Sequence, residues 1–197
     1  MRIVGGRWRG RQLKAPEGLG TRPSTDRMRE AIASMVASAR GLDLSGAWVL
    51  DAFAGSGALG LELLSRGAEG CVLADRDRRA AACVRKNVGA LGAHDAARVV
   101  TGDVVTCARC GRLGERPFDV VLLDPPYRLD PDLSASLVAA LAERGLLRPG
   151  AIVVHERSSA AKPLEVEGLR ELRSRPHGES VVALFEFEGK KEGDDGH

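Results

Sequence analysis

Hydrophobic positions along the chain alternate between two spacings, and from residue 25 onward they predict helices and strands in turn. Met28, Ile32 and Val36 recur at helical intervals, which indicates one buried helix face, and Ser24 or Thr25 can cap that helix. Short apolar runs predict strands over residues 47–51, 70–75, 97–100, 118–124 and 151–155, followed by an antiparallel pair, 169–175 and 181–187. The predicted helices cover about 25–39, 59–65, 78–91 and 132–144, with a weak helix after Asp103.

This alternation predicts an α/β fold in which a parallel sheet carries helices on both faces. The strand 118–124 is largely apolar, as in a sheet that is buried on both sides. We expect a small hairpin or arm in residues 1–23, a main domain in residues 24–188 and a disordered polar tail in residues 189–197. Ligands of such sheets bind beyond the carboxyl ends of the strands, so the residues at those ends are the first candidates for a site.

Length and composition agree with one ordinary domain. The chain has 197 residues, of which 44% are hydrophobic, and this is enough for a core. No apolar run is long enough to cross a bilayer, and residues 1–6 do not resemble a signal peptide. A monomeric, cytoplasmic protein without membrane contact is therefore expected.

Positive charge is concentrated near the start of the chain. Residues 1–30 hold eight basic residues against three acidic ones, a net charge of +5 in a chain whose total is +2. A basic segment on a slightly acidic body suggests a phosphate-binding surface. The same charges can also form a solvated face without a partner, and charge alone does not decide between the two interpretations.

The cysteines do not indicate a metal site. Cys71 and Cys83 fall in apolar patterns that suit core positions. Cys107 and Cys110 have the spacing of half a zinc site, but a structural zinc ion usually takes four ligands and the chain has no second pair. Reduced, unpaired thiols are the favoured interpretation, and no metal is predicted.

A glycine-rich turn follows the first strand and opens a helix. Gly55, Gly57 and Gly60 match the G-x-G-x-x-G pattern of dinucleotide-binding turns, so a nicotinamide-dependent enzyme is one hypothesis. A dinucleotide would place its pyrophosphate at the helix N-terminus, where the carboxylate of Asp51 would repel it. A cationic ligand suits that carboxylate better, and S-adenosylmethionine carries an ammonium and a sulfonium group and no phosphate. The remaining alternative is a tight turn without a ligand.

Acidic residues also follow the second and third strands. Asp75 stands where a carboxylate can bind ribose hydroxyls. Asp103 stands where a carboxylate can accept an adenine amino group, although it could equally cap the next helix. Together with Asp51 they predict a trough for S-adenosylmethionine. The predicted cofactor-binding residues are Asp51, Phe53, Gly55, Ser56, Gly57, Asp75, Arg76, Asp103 and Val104.

The tetrapeptide Asp124-Pro125-Pro126-Tyr127 follows the most hydrophobic strand and indicates the chemistry. It resembles the (D/N)-P-P-(Y/F) motif that amino-methyltransferases carry at the end of their fourth strand. An exocyclic amine is a poor nucleophile because its lone pair is delocalised into the ring. Asp124 and the carbonyl of Pro125 can accept its two N–H groups and stabilise the positive charge that develops on nitrogen. The prolines fix the backbone, and Tyr127 can stack on a base that has left its helix.

The resemblance extends over residues 1 to about 187 and points to one bacterial family. It rests on MRIVGG (1–6), RGR (9–11), TRPS (21–24), DRMRE (26–30), DAFAGSGALG (51–60) and SRGA (65–68). The chain is similar to the small-subunit rRNA guanine-N2 methyltransferases, which methylate guanine 966 of 16S rRNA. This resemblance implies a Rossmann-like, seven-stranded class I methyltransferase sheet, S-adenosylmethionine as the cofactor, and 16S rRNA in a small-subunit assembly particle as the substrate.

The same resemblance implies roles for individual residues. Asp124, Pro125, Pro126 and Tyr127 would hold the guanine. The implied RNA-binding residues are Arg2, Arg7, Arg9, Arg11, Arg22, Arg27 and Arg29, although Arg22 and Thr25 could instead close over the cofactor. The chain departs from the family at residues 177–180, which read His-Gly-Glu-Ser where a Tyr-Gly-Asp-Thr turn is common.

Two other functions remain open. The tetrapeptide also occurs in enzymes that methylate adenine N6 in RNA or DNA, and only the N-terminal segments favour guanine in rRNA. The second alternative is a ribosome-assembly factor that binds RNA without catalysis, against which the intact Asp124 and glycine turn argue.

Overall fold

A computed structural model describes residues 1–16, 25–126 and 132–189 of the chain. The strands in this part are β1 (Trp48–Asp51), β2 (Gly70–Asp75), β3 (Ala97–Thr101), β4 (Phe118–Leu123), β5 (Leu147–Ser158), β6 (Leu169–His177) and β7 (Ser180–Phe187). The helices are α1 (Asp26–Ala39), α2 (Ala58–Ser65), α3 (Arg78–Leu91), α4 (Val104–Arg109) and α5 (Leu133–Glu143). None of these described helices is long and apolar enough to cross a bilayer. Residues 190–197, the greater part of the predicted tail, lie outside the described residues.

The strands form one seven-stranded sheet in the order β3-β2-β1-β4-β5-β7-β6. The first five strands of that order are parallel, and β7 runs antiparallel between β5 and β6. Side chains alternate between the two faces of a sheet. Leu122 and Val154 therefore join a core with α1, α2 and α3, whereas Leu123 and Val153 join a second core with α4 and α5. The predicted sheet with helices on both faces is confirmed.

The closing strands are longer than predicted, because hydrogen bonding to neighbours rather than apolar content sets their ends. β5 continues to Ser158, which pairs with Ser180 at the start of β7. β6 continues to His177, which also pairs with Ser180. β6 is an edge strand with little burial, and an edge position tolerates Pro176, which has no amide to donate. The turn between β6 and β7 lies beside the end of β5, at the carboxyl edge of the parallel strands.

Residues 1–16 form a hairpin, which packs on the rest of the fold. Arg2 pairs with Gln12 in an antiparallel bridge. The side chains of Ile3 and Leu13 are buried in the core that α2 and α3 also line. The predicted boundary between residues 23 and 24 lies outside the described residues.

A buried carboxylate attaches this hairpin to α2. Glu62 has no exposed surface, and its two oxygens accept the amide of Val4 at 2.7 Å and the amide of Gly5 at 2.8 Å. Arg66, one turn further along, donates to the same carboxylate at 2.7 Å. A buried charge is tolerated only when it is paired and hydrogen-bonded, so these contacts make the hairpin an integral part of the fold.

The tip of the hairpin lies at the edge of the sheet where the parallel strands begin. The amide of Trp8 donates to Ser65 Oγ at 2.9 Å, and the guanidinium of Arg11 donates to the carbonyl of Ala90 at 2.6 Å. Ser65 ends α2 and Ala90 is in the last turn of α3. Both helices end at this amino edge because the next strand starts there.

All four cysteines are unpaired thiols. Cys71 and Cys83 are buried, which confirms their predicted place in the core. Cys107 is buried in α4, and Cys110 is exposed directly after that helix. Within the described ranges, no group of three or more His, Cys, Asp and Glu side chains could hold a metal ion.

Candidate active site

Glycines shape the turn between β1 and α2. Gly57 has a φ of 76°, and a Cβ there would lie 2.9 Å from Leu73 Cδ2. A Cβ on Gly60 would lie 2.8 Å from Cys71 Sγ. These approaches let α2 pack directly against the sheet. Packing alone therefore explains two of the three glycines, so the acidic residues around the turn, rather than the glycines, indicate a ligand.

Asp51 lies beneath this turn at the end of β1. Its side chain is buried, and one carboxylate oxygen accepts the amide of Gly60 at 2.9 Å. Burial raises the pKa of Asp51 to about 7, and the nearby charge of Asp75 adds to the rise. A carboxyl group in this state gains from a cation, which would stabilise its charged form. The position therefore suits the ammonium or sulfonium group of the predicted cofactor.

Asp75, at the end of β2, holds the same turn from the other side. One of its oxygens accepts the amide of Gly55 at 2.8 Å, and the other accepts the amide of Asp77 at 2.8 Å. The carboxylate is half-buried, and each of its oxygens keeps a further lone pair. Asp75 can thus bind ribose hydroxyls, as predicted, while it also fixes the glycine turn, a role that the sequence pattern did not indicate.

The remaining predicted cofactor residues surround these two. Asp103 is exposed, and one of its carboxylate oxygens accepts the amide of Thr106 at 2.8 Å and thereby caps α4. The helix-cap alternative therefore applies to this oxygen. Val104 is buried beside it, and Phe53 is half-buried against the same core. Ser56 is half-buried, with its hydroxyl donating to Met1 Sδ at 3.1 Å. Arg76 is exposed next to Asp75.

Asp124 follows β4 at the same edge of the sheet. Asp124 is exposed to solvent. Burial by the surrounding protein, and then the negative charges of Glu156 and Asp51, raise the pKa of Asp124 to about 8. Pro125 and Pro126 continue the chain at the edge. Tyr127 lies outside the described residues.

Glu156 is a site residue that sequence reasoning missed. Leu123 and His155 are the last paired residues of β4 and β5, so Asp124 and Glu156 come next, side by side. Glu156 is buried, and burial raises its pKa although a hydrogen bond from Ser180 acts in the opposite direction. The rule that selected Asp51 and Asp124, an acid at the end of a parallel strand, also applies to Glu156, which directly follows the predicted strand 151–155, but the rule was applied only to the first four strands.

Asp51, Asp124 and Glu156 occupy the same face of the sheet. Asp51 pairs with Leu122 and Glu156 pairs with Val182, and both partners belong to the core that α1, α2 and α3 cover. Three carboxyl groups on one face of the edge repel phosphate and attract positive charge. The residues present therefore fit S-adenosylmethionine and oppose a pyrophosphate-bearing nicotinamide cofactor.

The structure corrects one predicted RNA contact. Arg29 is only 1% exposed. Its guanidinium donates to the carbonyl of Arg2 at 2.9 Å and to Asp26 Oδ1 at 2.6 Å. The prediction that Arg29 contacts RNA is therefore wrong, because this side chain joins α1 to the hairpin inside the protein.

The other predicted RNA-binding arginines differ in position. Arg2 and Arg27 are exposed near the start of α1, with Arg2 paired to Asp26 at 3.2 Å. Arg7, Arg9 and Arg11 are exposed at the tip of the hairpin, at the edge opposite to Asp124. Arg22 lies outside the described residues.

Comparison with known proteins identifies the family of the chain. The family model described as conserved hypothetical protein 95 matches residues 1–186. The chain is 35% identical over 196 residues to the ribosomal RNA small subunit methyltransferase D of Escherichia coli, covering 98% of this chain and 93% of that protein. The protein of the same name from Haemophilus influenzae is 32% identical over 165 residues, covering 83% of this chain and 81% of that one.

The fold comparison gives the same result. The solved structure of the Escherichia coli protein yhhF superposes with a TM-score of 0.82 and 34% sequence identity, covering 96% of this chain and 99% of that one. The class I methyltransferase fold is thereby confirmed. The chain belongs to the family described as conserved hypothetical protein 95, the family of the ribosomal RNA small subunit methyltransferases D.

Proposed function

We propose that this protein transfers a methyl group from S-adenosylmethionine to the exocyclic N2 amine of one guanine in 16S rRNA. The names of its relatives support rRNA of the small subunit as the substrate. The proposed substrate form is an assembling small-subunit particle, on which the protein acts as a monomer. The observation that carries the choice of guanine is the pair of carboxyl groups, Asp124 and Glu156, at neighbouring strand ends.

The pair suits guanine because of the order of donors on that base. Guanine presents N1–H and the N2 amine side by side, so both groups on this part of its Watson–Crick edge are hydrogen-bond donors. Carboxylates accept hydrogen bonds and, when ionised, donate none. Asp124 can accept from the N2 amine while Glu156 accepts from N1–H. Adenine presents an acceptor at N1 beside its amine, which would face the second carboxylate without a partner.

The chain's own groups account for the proton that the reaction releases. S-adenosylmethionine supplies an electrophilic methyl group when it is bound. As the N2–CH₃ bond forms and the C–S bond breaks, the N2 nitrogen gains positive charge and must lose one of its hydrogens. Asp124 and the carbonyl of Pro125 stabilise that charge. A base works best when its pKa is near the working pH. With a pKa of about 8, Asp124 must first release its own proton, and the ionised carboxylate can then accept the N2–H bond and take up the proton.

Nucleoside mapping of 16S rRNA tests this proposal. A strain without the gene should lack one N2-methylguanosine, which the wild-type gene restores and an Asp124→Ala gene does not. Loss of an N6-methyladenosine instead would favour the adenine alternative. Unchanged 16S rRNA nucleosides together with defective subunit assembly would favour a non-catalytic assembly factor.

A further inference from the structure

The edge strand β6 divides its charges between the two faces of the sheet. Arg173 pairs with Leu184 and Arg175 pairs with Val182, and both partners belong to the core that α1, α2 and α3 line. Directly paired residues of antiparallel strands share a face, so these arginines lie on the face that carries Asp51, Asp124 and Glu156. Glu171 pairs with Phe185, which belongs to the opposite core.

A bulge in β6 keeps the basic residues on one face. The register shifts between Glu171 and Arg173, so that Leu172 is the extra residue. Arg170, before the bulge, pairs with Glu186 on the same face as Arg173, and its guanidinium is bound by the carboxylates of Glu186 and Glu188. The strand thus carries one neutralised arginine near the amino edge and two further arginines nearer the site.

Arg173 and Arg175 are exposed, and among the described residues neither has an acidic partner. Alternate residues of a strand are about 6.8 Å apart. The row continues to His177, which pairs with Ser180 and whose charge acts on Glu156. The row therefore runs along the edge strand towards the carboxyl edge of the sheet, where the candidate active site lies.

The row lies close to Asp124, the residue proposed to bind the reacting base. Arg175 pairs with Val182, which pairs with Glu156 beside Asp124. Arg175 and Asp124 are therefore separated by three strand spacings, from β6 through β7 and β5 to β4, or about 14 Å. By contrast, the hairpin tip with Arg7 and Arg11 lies at the opposite edge of the sheet. Unneutralised guanidinium groups near a base-binding site are suited to bind phosphates of the same strand.

We propose that Arg173 and Arg175 form a phosphate-binding surface that holds the RNA backbone beside the target base. This inference rests on the proposed function for its choice of RNA. Contacts of this kind position the nucleic acid without reading its sequence. They would also explain why an edge strand that contributes little to the core carries so much positive charge.

The test compares RNA binding across a salt series for three proteins. The Arg173→Ala/Arg175→Ala double variant should bind an unmodified 16S rRNA transcript more weakly than the wild type. The slope of log K against log salt should fall by about 0.7–0.9 for each lost phosphate contact. The matched control is Arg170→Ala, on the same face of the same strand, whose guanidinium is already neutralised; its slope should equal that of the wild type. Titration with S-adenosylhomocysteine should give the same affinity for all three proteins, which shows that the site is intact.

An unchanged slope in the double variant would overturn the proposal. A loss of slope in an Arg7→Ala/Arg9→Ala/Arg11→Ala variant but not in the β6 variant would overturn it too, and would place RNA binding at the hairpin tip. The result is independent of the proposed methylation. If the wild type left 16S rRNA unmethylated, the proposed function would fail, while the slopes would still decide whether this surface binds RNA.

Discussion

The carboxylate of Asp75 accepts the backbone amide of Gly55 at 2.8 Å, across the gap between two neighbouring strand ends. The bond holds the glycine turn open over the end of β2, where the cofactor ribose is expected. The Asp75 side chain thus shapes the glycine turn, and both would contact the cofactor. Changes at this position should affect cofactor binding even when the fold is intact.

Asp75→Asn should weaken binding of S-adenosylhomocysteine roughly 10-fold or more, because hydrogen bonds to a charged group contribute about 1.5–3 kcal/mol. Isothermal titration calorimetry measures the change. Asp77→Asn is the control: Asp77 caps α3 and asparagine caps a helix about equally well, so both stability and ligand affinity should be nearly unchanged. Equal affinities in the two variants would contradict this role for Asp75, and tight binding of NAD to the wild type would contradict the cofactor.

Asp51 should couple cofactor binding to pH. With its pKa raised to about 7, Asp51 is about half protonated at pH 7 in the free protein. A bound cation stabilises the carboxylate and lowers the pKa, so binding of S-adenosylmethionine should release up to about half a proton at pH 7, and affinity should fall as the pH falls below 7. Calorimetry in buffers of different ionisation enthalpy counts the protons. Asp51→Asn should abolish the release, and proton uptake by the wild type would refute the assignment.

Asp124→Ala should reduce methyl transfer by about 10²-fold or more, the scale observed when one preorganised partner of a developing charge is removed. Affinity for S-adenosylhomocysteine should be nearly unchanged, because this residue faces the base. Single-turnover assays with labelled cofactor measure the step directly. A variant with wild-type turnover would exclude Asp124 from the chemistry.

Glu156 should affect the choice of base more than the affinity for cofactor. A substrate RNA that carries 2-aminopurine at the target position keeps the amine but lacks N1–H, so the wild type should methylate it more slowly than the guanine substrate. In Glu156→Ala that preference should shrink, and the two changes should be non-additive. Equal preference in both proteins would show that Glu156 does not read N1–H.

Arg29 should contribute to stability rather than to RNA binding. Arg29→Met removes hydrogen bonds to the Arg2 carbonyl and to Asp26, and should lower the free energy of unfolding by about 1.5–3 kcal/mol. Arg27→Ala, an exposed neighbour, should change it by less than about 0.5 kcal/mol. Urea unfolding compares the two variants, and a larger loss in the Arg27 variant would contradict the assignment.

Much of the fold could be predicted because periodicity reports local burial. The strand Gly70–Asp75 and the helix Arg78–Leu91 have the predicted bounds, since each is an uninterrupted apolar pattern between clear turn signals. Asp51, Asp75 and Asp124 could be chosen as site candidates because the ends of parallel strands meet at one edge. Only the order of the elements is needed to place these three residues together, without knowledge of the strand register.

What could not be predicted depends on partners distant in the chain. Glu156 directly follows an apolar run, but its position beside Asp124 depends on the pairing of β4 with β5, which no local pattern shows. In the sequence, Arg29 cannot be distinguished from its exposed neighbour Arg27. Arg29 is buried only because the N-terminal hairpin packs against α1. Arg173 and Arg175 of β6 were missed because an exposed edge strand has no apolar alternation to assign its side chains to a face.

The buried carboxylate of Glu62 makes the N-terminal hairpin and α2 one cooperative unit. The amides of Val4 and Gly5 are bound to it, so their hydrogens can exchange with solvent only when the hairpin detaches and Glu62 loses both partners in the interior. Ends of chains usually exchange quickly by local fraying. These two amides should instead exchange as slowly as those of the central strands, which would mean that nothing short of global unfolding releases the start of the chain.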